Sequence, residues 1–269
     1  MTENTDETAS VTYDVRSGVA RITLNRPDTM NALNTHTKEA LKAAIERAAA
    51  DAEVRVVVIT GSGRAFCVGQ DLREHVSNLQ SLPMEQVWAT VPDHYAPIAA
   101  GIAEMAKPVV AAVNGVAAGA GASLAFACDF RLMSDNASFN TAFSGIGLSC
   151  DTGASWTLPR LVGRAKALEL LMLPRTVSAA EAGELGLATA VVPADQLEQE
   201  TSRFATTLAQ GPTVAYGAIR LSVGYAATHT LPESLAFEGE MMALTGSSSD
   251  HQNAVKSFVA KEQPTFQGR

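Results

Sequence analysis

Cysteine is scarce in this chain, with three among 269 residues. Cys67, Cys128 and Cys150 are odd in number, widely spaced and without metal-ligand spacing, which excludes a disulfide framework and a thiolate zinc site. Basic residues are outnumbered, 20 Lys and Arg against 28 Asp and Glu, for a net charge of −8. They form no basic run, which argues against a nucleic-acid partner. Long apolar runs are missing too. Val109–Val113 and Val116–Ala127 are interrupted by Asn114 and by glycines, so neither makes a membrane span. Met1–Ser10 is acidic and has no apolar h-region, so it is no signal peptide. There are no repeats and no low-complexity segments. A reduced, cytoplasmic protein is expected.

What is present is an ordinary globular balance, 46% hydrophobic and 18% charged, enough for a sizeable core. The length fits one large α/β domain, or such a domain with a helical appendage. Two loops stand out, Gly61-Ser-Gly-Arg-Ala-Phe-Cys-Val-Gly-Gln-Asp-Leu72 and Asn114-Gly-Val-Ala-Ala-Gly-Ala-Gly-Ala-Ser123. Each follows a β-branched run and opens into a helix-like stretch. A strand that breaks into glycines and restarts as a helix leaves amides unpaired at a positive helix end. Two such sites facing each other would hold a developing oxyanion, which points to chemistry on a carbonyl. Ordinary βα turns and a dinucleotide-binding turn at Gly115-x-x-x-Gly119-x-Gly121 are the competing readings. The second lacks its context: the loop lies mid-chain, and none of Tyr13, Tyr95, Tyr216 or Tyr225 has a Lys four residues later.

Along the chain, residues 1–10 read as a disordered tail. Val11–Arg16 and Val19–Leu24 form a predicted hairpin turning at Ser17-Gly18. Thr35 is placed to cap a helix reaching about Ala50, with Leu41, Ile45 and Ala48 on its inner face. Arg55–Thr60, Val109–Val113 and Phe130–Met133 read as buried central strands, with a helix over Gly119–Ala127. Residues 76–98, broken by Pro83, Pro92 and Pro97, read as a variable helix–loop segment. From Ser178, which opens a capping box with Glu181, the pattern is helical, with helices over about 194–210, 213–226 and 231–259. The division is an αβ core over 11–195 and a helical region over 196–269.

The motifs resemble those of the enoyl-CoA hydratase/isomerase (crotonase) superfamily, over nearly the whole chain and in the family's order. They are Val19-Ala-Arg-Ile-Thr-Leu-Asn-Arg-Pro27, Asn31-Ala-Leu33, Ala65-Phe-Cys-Val-Gly-Gln-Asp71 and Lys107-Pro-Val-Val-Ala-Ala-Val-Asn-Gly115. Leu158-Pro-Arg-Leu-Val-Gly163, Ala179-Ala-Glu-Ala-Gly-Glu-Leu-Gly-Leu187 and the tail from Phe258 to Arg269 follow. The resemblance implies a ClpP/crotonase-like α/β spiral core of sheets and helices with a C-terminal helical trimerisation region. It implies an acyl-CoA thioester substrate, a trimer or hexamer, and no cofactor or metal beyond the coenzyme A of the substrate.

Residue by residue, the resemblance puts the oxyanion amides on Gln70 and Ala120, flanked by Gly69, Asp71 and Gly119. It implies adenine and pantetheine contacts along Ala65, Val68, Gly69, Asp71 and Leu72, and phosphate contacts from Arg26. Phe258 and Lys261 would reach the phosphates from a neighbouring subunit, and these cations would offset the chain's negative charge locally. The family's two water-activating glutamates are absent: their positions hold Ser123 and Phe143. Asp151 remains, eight residues after Phe143, where isomerase branches of the family carry a lone acid that moves a proton between C2 and C4 of the acyl chain. The Δ3,Δ2-enoyl-CoA isomerases and the ring-epoxide isomerases of phenylacetate metabolism are of this kind. Apolar neighbours would raise its pKa, with Phe143, Leu148 and Trp156 as candidates; read alone, Asp151 is a helix cap. Ser123 is not in a Gly-x-Ser-x-Gly elbow, Cys150 reads as packing, Asp71 as a helix cap, Asp129 as closing a helix–strand turn, and Lys107 as a solvated strand entrance. The resulting expectation is an enoyl-CoA isomerase. The alternatives are an enoyl-CoA hydratase of fatty-acid β-oxidation and a catalytically weak CoA-binding scaffold.

Overall fold

The computed structural model describes residues 9–269. Of the tail expected to be disordered, residues 1–8 lie outside the described residues, while the Ser10 carbonyl accepts from the Asn25 amide at 2.8 Å. In chain order the elements begin with β1 (Val11–Arg16), β2 (Val19–Leu24), α1 (Thr35–Ala50), β3 (Val56–Gly61), β4 (Ala65–Cys67), α2 (Leu72–Ser81) and α3 (Met84–Trp88). They continue with α4 (Ala96–Glu104), β5 (Val109–Val113), β6 (Val116–Ala118), α5 (Ala120–Ala127), β7 (Phe130–Ser134) and β8 (Ser138–Asn140). The rest are α6 (Ala154–Met172), β9 (Val177–Ser178), α7 (Ala179–Glu184), β10 (Ala190–Val192), α8 (Leu197–Ala209), α9 (Thr213–Ala226), α10 (Leu231–Gly246) and α11 (Ser249–Ala260).

The strands form two sheets, ordered β1-β2-β3-β5-β7-β10 and β4-β6-β8-β9. Ser17 and Gly18 both have positive φ, as a two-residue I′ turn demands, and this sets the antiparallel β1–β2 register. From β2 onward the large sheet is parallel. Every residue of Val56–Gly61 and Val109–Val113 is buried, because helices cover both faces. One face packs against α1, α4, α5 and α6 through Ile22, Leu41, Ile45, Ile98 and Leu158. The other is closed by α8, whose Leu197, Ala205 and Ala209 meet Val56, Val58 and Val110. This two-sheet α/β architecture with a helical C-terminal part matches the fold that the resemblance implies. No helix among the described residues is long and apolar enough to cross a membrane.

Local chemistry corrects several expectations. Asn34, not Thr35, caps α1: its Oδ1 accepts from Thr37 N at 2.9 Å. Residues 72–104 hold α2, α3, a π-turn over Val91–Tyr95 and α4, since prolines sit in first turns where they cost no hydrogen bond. The helix expected over 231–259 is two, separated at Ser247–Ser248 where Ser248 caps α11. Ser178 caps α7 by accepting from Glu181 N, while the Glu181 carboxylate pairs with Arg175. Lys107 is no solvated entrance; its Nζ donates to the carbonyls of Ala48 and Asp51 at 2.7 and 2.6 Å and so closes the end of α1.

Candidate active site

The two glycine-bearing loops meet because each contains a short second strand. After β3 the chain leaves the large sheet for β4, and after β5 it leaves for β6. β4 and β6 pair in parallel, Ala65 opposite Val116 and Cys67 opposite Ala117. Their chains therefore exit at one edge, and α2 and α5 start side by side. Two asparagines hold this crossing. Asn31 Nδ2 donates to the carbonyls of Ser62, Ala65 and Phe66. Asn114 Nδ2 donates to Gly63 and Ala65, and its Oδ1 accepts from Gly61 N.

Glycine is required where the loops touch. Gly69 has φ +81°, and a Cβ there would lie 2.9 Å from the Ala118 oxygen and 3.1 Å from Ala120 N. A Cβ on Gly121 would fall 2.1 Å from the Cys67 oxygen, so only glycine lets α5 rest on β4. The Gln70 amide is freed by the strand alternation around it. Leu33 N donates to Gly69 O at 2.7 Å and Asp71 N donates to Leu33 O at 3.1 Å. Gln70 N–H consequently points away from Leu33, and no acceptor meets it among the described residues. Ala120 is the first residue of α5, a helix with no side-chain cap, so its N–H is unpaired as well among the described residues. The two adjacent loops thus offer two free amides, the arrangement that can hold an oxyanion.

Asp71 caps α2, accepting from Arg73 N and Glu74 N, and pairs with Arg26 Nη1 at 3.0 Å. Burial pushes its carboxyl up, but the Arg26 guanidinium and the two amides outweigh this and hold it below the usual range. Arg26 Nη1 also donates to Ala32 O; its Nε and Nη2 have no partner among the described residues. Ser123 is buried and its hydroxyl donates to Gly119 O at 3.2 Å, so it serves the turn. Phe143 is buried and Leu72 is exposed. Cys67 is enclosed, and burial pushes its thiol up to about 12.

Asp151 is partly buried and does not cap a helix. The cap of α6 is Gly153, with no side-chain bond. Among the described residues, the only hydrogen bond to the carboxylate is from the Thr152 hydroxyl at 2.8 Å. Burial raises its pKa against the opposing pull of that hydroxyl and of the Lys38 charge. Trp156 is not part of its wall: it is exposed, stacked by Arg160 at 4.0 Å, and lines an apolar groove of 480 Å³ with Phe126, Ile219 and Val223.

Sequence reading missed Lys38 and Tyr95. Lys38 is 1% exposed; its Nζ donates to Thr90 Oγ1 at 2.6 Å and to Gln70 Oε1 at 3.2 Å. The Tyr95 hydroxyl donates to the same Gln70 oxygen at 2.7 Å. With Gln70, Thr90 and His94, Lys38 lines a polar cavity of 330 Å³. A signal existed: Lys38 lies three residues before Leu41, on the stripe that continues through Ile45 and Ala48. A charge on that stripe must be buried. Phe258 and Lys261 lie at the end of α11, where Phe258 is 84% exposed and Lys261 caps the helix in the left-handed conformation.

Known proteins are similar to this chain over nearly its whole length. The family described as enoyl-CoA hydratase/isomerase matches residues 14–269. A Rhodobacter capsulatus protein named "Probable enoyl-CoA hydratase" is 40% identical over 97% of this chain and 98% of its own. The 1,2-epoxyphenylacetyl-CoA isomerase of Escherichia coli is 38% identical over 95% of this chain and 97% of its own. A crystal structure from Mycobacterium abscessus, provisionally described as an enoyl-CoA hydratase/isomerase, superposes with a TM-score of 0.92. It is 39% identical and covers 96% of this chain and 100% of that one. The chain belongs to the enoyl-CoA hydratase/isomerase family of enzymes, the crotonase superfamily.

Proposed function

We propose that this chain is an enoyl-CoA isomerase in which Asp151 carries the proton. The observation that supports this best is a single partly buried carboxylate with a raised pKa, with Ser123 and Phe143 at the positions of the family's water-activating acids. The ionised Asp151 removes a C2 proton from a 3-enoyl thioester. The electron pair moves onto the thioester oxygen, held by the amides of Gln70 and Ala120. Protonated Asp151 then returns the proton to C4, and the double bond ends between C2 and C3. One carboxylate suffices, because the proton taken up is the proton given back. The 38% identical E. coli relative bears an isomerase name; the hydratase name of the R. capsulatus relative supplies the competing reading.

Arg26 Nε and Nη2, unpartnered among the described residues, are assigned to the phosphates of coenzyme A, and the backbone from Ala65 to Leu72 to its adenine and pantetheine. We assign assembly to the helical region 196–269, and within it to α9–α11. α8 is committed to the sheet, whereas Ile219, Val223, Phe258 and Val259 on α9 and α11 are exposed. A trimer or dimer of trimers would cover them and bring Phe258 and Lys261 to a neighbour's site. No cofactor beyond the thioester is required by this chemistry, and the location is cytoplasmic.

The test compares conversion of 3-hexenoyl-CoA to the 2-enoyl isomer with hydration of crotonyl-CoA, in wild type and Asp151→Asn. Isomerisation should be the faster reaction and should fall by about 10²–10⁴ in the variant. Hydration that exceeds isomerisation and survives the substitution would sink the proposal. A folded protein inert toward both substrates would favour a binding scaffold. Sedimentation equilibrium showing a stable monomer at micromolar concentration with unchanged CoA affinity would remove the assembly proposal.

A further inference from the structure

Behind the first loop stands a cation with little access to solvent. The Lys38 side chain has its Nζ 2.6 Å from Thr90 Oγ1, 3.2 Å from Gln70 Oε1, 4.0 Å from Glu74 Oε1 and 5.3 Å from the centre of the Tyr95 ring. Burying an ammonium carries a desolvation cost of several kcal/mol unless charge and hydrogen bonds compensate it. The nearest carboxylate compensates only in part, because Glu74 accepts from the amide and hydroxyl of Thr35. Packing alone would place a leucine or methionine on a stripe shared with Leu41 and Ile45. The cation instead sits on two working parts of the site. It grips the side chain of Gln70, whose amide is one oxyanion donor, and its charge acts on Asp151.

We propose that Lys38 is a positioning residue of the active site, fixing Gln70 together with Tyr95 and supplying the positive charge that faces Asp151. The part concerning Asp151 rests on the reading of that residue as the proton carrier. The groups facing Lys38 are few. Burial lowers its pKa, opposed by Glu74 and Asp71 at the start of α2, by Asp151, and by Glu39 on its own helix. His94 reaches it only through Thr90, with Nδ1 3.3 Å from the threonine hydroxyl. Tyr95 is pushed up by burial and by the nearby Asp151 charge, so it stays neutral and donates. Asp151 itself accepts from the Thr152 hydroxyl, and its charge interacts with Lys38 and Tyr95.

Removing the Lys38 charge removes a force that favours the Asp151 carboxylate. Asp151 then keeps its proton to higher pH, and the ionised form is the one that abstracts a proton. The acidic limb of kcat/KM therefore moves to higher pH in Lys38→Met. The variant should lose roughly tenfold more activity at the acidic end than on the alkaline plateau. kcat should fall more than KM rises, because the oxyanion donor is loosened rather than the CoA contacts.

Two readouts decide: the pH profile of 3-hexenoyl-CoA isomerisation, and the carboxyl ¹³C NMR titration of Asp151, identified by its loss in Asp151→Asn. Both should move upward in Lys38→Met and return toward wild type in Lys38→Arg. A merely structural lysine would change the melting temperature and leave both midpoints in place, which overturns the proposal. If Lys38→Met does not fold, Thr90→Val keeps the charge and removes its 2.6 Å anchor. Unchanged kcat and an unchanged titration in that variant also overturn it. An upward NMR shift in a protein that isomerises nothing would reject the isomerase reading and leave the placement of Lys38 intact.

Discussion

Gly69→Ala tests the proposed oxyanion hole at the point where its two loops touch. The substitution adds one methyl group, and the structure states what that group meets. At φ +81° an alanine is strained by about 1–2 kcal/mol. Its Cβ would sit 2.9 Å from the Ala118 oxygen and 3.1 Å from Ala120 N. Neither neighbour is a flexible side-chain tip, so backbone must move by a few tenths of an ångström. The movement separates Gln70 N–H from Ala120 N–H. Losing one oxyanion donor lowers kcat by about 10²–10³, and misplacing a reacting group by roughly 1 Å costs a comparable factor.

The strain and the displacement can be separated. Gly186, in the turn after α7, has φ +74° and open space where a Cβ would go. Gly186→Ala therefore carries the backbone cost alone. Both variants should melt a few degrees below wild type, on the order of 2–4 °C per kcal/mol for a chain of this size. Only Gly69→Ala should lose about 10²–10³ in kcat/KM, read by the isomerisation assay after folding is checked by circular dichroism. A folded Gly69→Ala protein with wild-type kcat/KM would refute the hole. Equal activity losses in the two variants would assign the effect to general destabilisation.

Ala120→Pro deletes the second donor at the first position of α5, where proline is compatible with a helix. It should fold and lose about 10²–10³ in kcat/KM, and full activity would show that the loop is structural. Asp151→Asn should also change stability with a defined sign. Burial raises the folded-state pKa, so the wild type is penalised as pH rises above the ordinary carboxylate range. The variant should melt higher than wild type at pH 7 and level with it near pH 4, and scanning fluorimetry finding the opposite order would reject the buried assignment. Asp71 works the other way: its lowered pKa contributes stability above the ordinary carboxylate range that is lost as pH falls through the depressed value. Asp71→Asn should cost about 1–2 kcal/mol at pH 7, and a urea melt showing no change would contradict the Arg26 pairing. Lys107→Met leaves the Ala48 and Asp51 carbonyls without their donor and should cost roughly 1 kcal/mol, which urea unfolding can detect.

Five strands of the large sheet, β1, β2, β3, β5 and β7, were legible because they are short β-branched runs bounded by turn residues, and the register of β1 on β2 followed from Ser17-Gly18; the sixth, β10, is a three-residue strand in a stretch read as helical. The two loops of the candidate site were legible as glycine-bearing turns, but not as neighbours. Their contact depends on β4 and β6, strands of three residues each, too short to carry an alternating pattern. Cap positions slipped by one at Asn34 because Asn34, Thr35 and Thr37 are all competent caps, and only tertiary placement selects among them. Trp156 was misplaced because its neighbours come from α9, distant in sequence. Lys38 stood on the apolar stripe of α1 but was passed over, because a lysine at one end of a helix stripe normally snorkels and its burial depends on Tyr95 and Thr90, in a segment whose prolines hide its pattern.

Proton accounting separates the two reactions that the family's name joins. Hydration adds water across the double bond, so a group must orient and deprotonate water while a proton is delivered to the α-carbon. The Ser123 hydroxyl is held by Gly119 O at 3.2 Å, and Phe143 has no exchangeable proton. Isomerisation asks for one group able to hold a proton briefly and release it nearby. A carboxylate with an ordinary pKa abstracts weakly, and one that is buried without compensation stays protonated and abstracts nothing. Burial raises the Asp151 pKa, and the Thr152 hydroxyl and the Lys38 charge pull against that rise. In the proposed isomerisation these opposing pulls act on the one group that would carry the proton, which makes the buried lysine part of the argument for isomerisation rather than an oddity of packing.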